Sequence, residues 1–172
     1  MKEAAIGTAA FVLEDSQQLF KIVGAIQAPG PKSYMNAYRA ELAGMLATIT
    51  YINNICTLFG INSGCIKLGC DSLGAIDNIS QGRVGDPVKT KEKHYDISTS
   101  IMLSLQQSTI DWSFEHVKGH QDDEIPYKKP SRLAQLNVQA DKWAKRRLSA
   151  ILAQDTLSSE DSLPLEPCSI SW

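Results

Sequence analysis

Two apolar runs of strand length open the chain, residues 6–13 (IGTAAFVL) and 19–26 (LFKIVGAI). The polar stretch Glu14-Asp15-Ser16-Gln17-Gln18 parts them, and Ala28-Pro29-Gly30-Pro31 stops the second. That pattern predicts an antiparallel hairpin. From Asn36 to about Phe59 the period changes to that of a helix. Leu42, Met45, Leu46, Ile49, Ile52, Ile55, Cys56 and Phe59 form a broad apolar face, with Asn36 or Ser33 as cap and Gly60 as stop. Residues 65–70 alternate again, with Ile66, Leu68 and Cys70 against Lys67 and Gly69. This short strand ends in Asp71, and Ser72 then stands where a helix cap belongs, before Leu73-Gly74-Ala75-Ile76.

A loop at residues 81–87 leads through Lys89, Lys91, Glu92, Lys93 and His94 into a helix carrying Ile97, Ile101, Met102 and Leu105. Residues 110–117 (IDWSFEHV) alternate as a strand, and a long polar loop follows from Lys118 to Pro130. The last helix is expected over about residues 131–152, with Leu136, Ala140, Trp143, Ala144, Leu148 and Ile151 as its apolar stripe. After Gln154 the composition turns to Ser, Glu, Asp and Pro without period, which reads as a disordered tail. The expected order is β-β-α-β-α-α-β-α. The expected division is one α/β domain over residues 1–153 and a tail over 154–172.

The length, 172 residues, suits one domain with a sizeable core. A net charge of −2 argues against a highly basic nucleic-acid binder, although local patches count for more than the sum. Cys56, Cys65, Cys70 and Cys168 follow no metal-ligand spacing, and three lie in apolar segments, as buried thiols do. No apolar run reads as long enough to span a membrane, and the first residues lack the apolar core of a signal peptide. An intracellular location, cytoplasmic or nuclear, is therefore expected.

Asp71 closes a strand in an α/β chain, the edge where such folds keep their chemistry; taken alone, it also suits a helix cap. Three fragments weigh on the choice. Ala37-Tyr38-Arg39-Ala40-Glu41-Leu42-Ala43-Gly44 opens the first long helix, and Gly69-Cys70-Asp71-Ser72 closes the strand. His116-Val117-Lys118-Gly119-His120 precedes Leu136-Asn137-Val138-Gln139-Ala140-Asp141-Lys142-Trp143-Ala144. In this order and on these elements, the chain resembles the ribonuclease H family, type 1, in the form found in retroelement reverse transcriptases. The resemblance covers about residues 6–152.

It implies a mixed sheet flanked by helices, and an endonuclease that cuts the RNA strand of an RNA/DNA hybrid. It implies Mg²⁺ or Mn²⁺ as cofactor, two ions where the site is complete. Mg²⁺ takes hard oxygen ligands, so the matching residues are acids: Glu41, Asp71 and, at the start of the last helix, Asp141. His120 matches a loop histidine for proton handling, and Asn137 a polar position before the last acid. Ser72, Lys118, Lys142, Lys145 and Arg146 are the expected nucleic-acid contacts. An upstream reverse transcriptase domain is the implied protein partner, and no membrane is implied. The family begins with a strand bearing its first aspartate, and this sequence has no such strand. Its place would be central, between the hairpin and the strand ending at Asp71. Two readings follow: a metal-dependent nuclease, or a catalytically inactive module, a retroelement remnant, that binds nucleic acid or a partner.

Overall fold

The computed structural model describes residues 6–82, 84–85, 91–119 and 131–153. The expected tail and the loop histidine His120 lie outside them. The fold is mixed α/β. The elements run β1 (Thr8–Glu14), β2 (Lys21–Gln27), α1 (Ala37–Phe59), β3 (Cys65–Cys70), α2 (Leu73–Gln81), α3 (Tyr95–Gln106), β4 (Asp111–His116) and α4 (Arg132–Ala153). This is the expected order, with one added 3₁₀ turn at Lys32–Tyr34.

Among the described residues the strands form two separate ladders and not one mixed sheet. β1 pairs antiparallel with β2, Thr8 facing Gln27 and Glu14 facing Lys21. β3 pairs parallel with β4, Cys65 facing Asp111 and Cys70 facing His116. The hairpin turn is longer than expected, because Leu19 and Phe20 leave the strand and are 70% and 75% exposed. Asp15 shapes it: its carboxylate accepts from the Phe20 N–H at 2.6 Å and the Gln17 N–H at 3.1 Å.

α1 is the core helix. Asn36 caps it, its side chain accepting from the Arg39 N–H at 2.8 Å. Gly60 ends it in the left-handed conformation, with φ of 64°. Leu42, Ala43, Met45, Ile49, Ile52 and Cys56 are buried on the face that the helical period predicts. Phe59 is the exception at 71% exposed, since it sits in the last turn past the packed elements. One 18-residue window of α1 has a mean hydropathy of 1.4, enough by length and composition to cross a membrane. The expectation that no segment is that apolar fails for this helix. Its apolarity has a use inside the fold, where it packs against β1, β2, α2 and α3.

A buried ion pair ties α1 to α3. The Arg39 guanidinium is fully buried and donates to both Asp96 oxygens, at 3.0 and 2.6 Å, and to the Pro29 carbonyl at 2.7 Å. Burial pushes the Asp96 carboxyl up, but Arg39 and the Ile97 N–H outweigh it and hold the group below its usual range.

α4 packs on β1 and β2, and its buried positions differ from the expected stripe. Ala134, Val138 and Ile151 are buried, while Trp143 is 40% exposed with the Arg146 guanidinium 4.8 Å from its ring centroid. The Thr8 hydroxyl donates to the Ala144 carbonyl at 2.9 Å, and Arg132 forms a bidentate pair with Glu14. α4 therefore runs back along β1, from its end to its start. Cys56 and Cys70 are buried as expected, but Cys65 is exposed, because β3 begins at the rim of the fold. Cys168 lies outside the described residues.

Candidate metal centre

The alternating run 65–70 carries β3 inward from an exposed Cys65 to a buried Cys70. The residue after it, Asp71, is thereby delivered to the carboxyl end of the strand. The capping role falls to Ser72, whose hydroxyl accepts from the Ala75 N–H at 3.3 Å. Asp71 is thus not the cap of α2. α1 brings Glu41 to the same point from the other side, in its second turn, and Glu41 and Asp71 are both half-buried. Glu41, Cys70 and Asp71 each offer one ligand atom, and these atoms lie within 4.8 Å of one another.

The electrostatics follow from that closeness. Burial, then the charge of Asp71 and a hydrogen bond with it, push the Glu41 carboxyl up to about 7. The Asp141 charge adds to the rise, and the Cys70 thiol, donating to Glu41 Oε2 at 3.8 Å, works against it. At neutral pH the Glu41 carboxyl is therefore about half protonated, because burial and the neighbouring carboxylate both disfavour its charge. Burial pushes the Cys70 thiol itself up to about 12. It is a protonated donor at neutral pH and not a thiolate ligand. The donor set is thus a hard-oxygen pair that fits Mg²⁺ or Mn²⁺ better than a metal needing sulfur.

Asp141 stands outside the tight group. α4 begins at Arg132, so Asp141 falls in the third turn and not at the helix start. Its carboxylate pairs with Lys145 at 2.6 Å, one turn on. Asn137 is on the same face one turn earlier, half-buried. Lys118, Lys142, Lys145 and Arg146 are all exposed, Lys118 beside the site and the others along α4. Ser72 is occupied by its capping bond.

Two residues not expected from sequence contribute. A Cβ on Gly119 would come within 2.9 Å of Asp71 Oδ2, so a side chain there would push the carboxylate aside. His116 Nε2 lies 3.2 Å from the Asp71 carbonyl and holds that backbone from the neighbouring strand. The only sequence signal for either was their place in His116-Val117-Lys118-Gly119-His120. No protein-family model and no curated protein matches this sequence.

Proposed function

We propose that Glu41 and Asp71 hold a divalent cation, Mg²⁺ or Mn²⁺, and that the chain is a ribonuclease H-like enzyme hydrolysing phosphodiester bonds. The RNA strand of an RNA/DNA hybrid is the substrate that the family resemblance implies. The observation that carries this reading is the pair of half-buried carboxyls at the end of β3, with Glu41 pushed up to about 7. A bound divalent cation there would neutralise charge on the scissile phosphate and lower the pKa of a coordinated water.

The chain's own residues have separate parts. Glu41 and Asp71 supply hard oxygens, and Gly119 keeps the approach to Asp71 open. Asp141, whose charge reaches Glu41 and whose carboxylate pairs with Lys145, would complete the set for a second ion. Lys118, Lys142 and Arg146 give the positive rim that tracks phosphates, with Trp143 as a stacking surface beside Arg146. Asn137 and Ser72 are polar contacts for the strand, and His120 takes the proton-handling role by resemblance. An upstream reverse transcriptase domain is the partner that would deliver the hybrid.

A second reading is favoured by one observation: only two carboxylates, with a thiol, make up the tight group among the described residues. That suits a module that binds nucleic acid without turnover. Cleavage of a labelled RNA/DNA hybrid, in Mg²⁺ and then Mn²⁺, separates the two. Metal-dependent cleavage that disappears in Asp71→Asn supports the enzyme. Salt-dependent binding without cleavage, from folded protein, leaves the binding module.

A further inference from the structure

The two ladders face each other across an open cleft of about 830 Å³. It is lined by the unbroken runs Ala10–Glu14 of β1 and Cys65–Cys70 of β3. Successive strand residues point to opposite faces, so an unbroken run means that the cleft meets each strand along its edge. Among the described residues no backbone hydrogen bond reaches the second edge of either strand. The floor is α1, with Met45 and Ile52, and the roof is α4, with Leu136, Asn137 and Ala140. A slot with a hydrogen-bonding edge on each side and side-chain walls above and below suits an extended strand.

The directions of the walls are fixed. β3 follows α1 and returns along it, bringing Cys70 beside Glu41. β1 runs with α1, since Ala9 and Ala10 lie against Gly44 and Phe11 stacks on Tyr51 at 5.4 Å. β1 and β3 therefore point opposite ways. α4 leaves the fold past the start of β1, beyond the Thr8–Ala144 bond.

We infer that the occupant is the chain's own segment Cys168-Ser169-Ile170-Ser171-Trp172. Outside the described residues it is the stretch with a strand's period, Cys168, Ile170 and Trp172 on one side and two serines on the other. Residues 120–130, by contrast, carry three acids and two prolines. The intervening residues 154–167 span up to about 46 Å when extended, ample to bring the segment from Ala153 to the cleft. Met45 and Ile52 on the floor suit its apolar side, and Asn137 on the roof suits a hydroxyl. The two ladders then join as one five-stranded mixed sheet. This docking stands apart from the metal reading and survives its failure.

The test is amide hydrogen exchange on the full chain, on the chain ending at Ala153, and on the full-length variant Ile170→Pro. Proline removes a ladder donor without shortening the tail. Docking predicts exchange along Ala10–Glu14 and Cys65–Leu68 at least tenfold slower in the full chain than in either altered form. It also predicts that a synthetic peptide of residues 163–172 restores protection to the shortened chain. Equal protection in the full chain and Ile170→Pro overturns the proposal, even if the shortened chain does not fold. So does protection restored only by an unrelated strand peptide, which would assign the cleft to another polypeptide.

Discussion

Glu41 carries an unusual burden for a helix glutamate. It is half-buried beside a second carboxyl, and its proton is held up to about 7 against an ordinary 4.5. A folded state that holds a proton more tightly than the unfolded chain is favoured at low pH. Its advantage is complete below the unfolded value and is lost as pH rises through about 7. With a chelator present, stability should fall by on the order of 3 kcal/mol between about pH 5 and about pH 8 from this group. Glu41→Gln, which keeps the shape without the titration, should flatten that slope; urea unfolding at the two pH values measures it. Gly119 acts on the other carboxyl. Gly119→Ala puts a methyl 2.9 Å from Asp71 Oδ2 and must displace it. Mn²⁺ affinity should drop by about tenfold with little loss of helix content, read by metal titration and circular dichroism together.

At the scale of elements, the pairing of α1 with α3 rests on a fully buried guanidinium. Asp96→Asn leaves that charge without its partner. The expected cost is about 3 kcal/mol, the low end for a buried pair, because the Asp96 side chain is 36% exposed. Chemical denaturation checks it, and adding Arg39→Met should recover part of the loss. Most element boundaries were legible because local signals agreed. Asn36 caps, Gly60 stops, and the apolar period of residues 42–56 buries on one face. The buried Arg39 was not legible, since an arginine in a first helical turn looks solvated until its partner, fifty-seven residues on, is known. The differing buried positions of α4 have a similar cause. Leu136 and Ala140 fit the period, yet they line the cleft and stay half-buried, while Ala134 and Val138 are buried.

For the whole molecule, the order of elements was readable and their assembly was only partly so. The family resemblance implied a mixed sheet lacking a central strand; among the described residues there are two ladders, one antiparallel and one parallel, that are not joined. The exposed start of β3, with Cys65 at the surface, follows from that open edge. Glu41 and Asp71, paired only by the family resemblance, lie together because α1 and β3 bring them to one point. The part played by Cys70 and the approach of Gly119 depend on tertiary closeness that no spacing encodes. The central claim is that these elements converge on one cation site.

Mn²⁺ titration of the full chain, followed by electron paramagnetic resonance, tests it most directly. The account predicts a saturable bound ion that is lost in both Glu41→Gln and Asp71→Asn and displaced by excess Mg²⁺. Folded protein that binds no Mn²⁺, or that keeps it in both variants, would contradict the account.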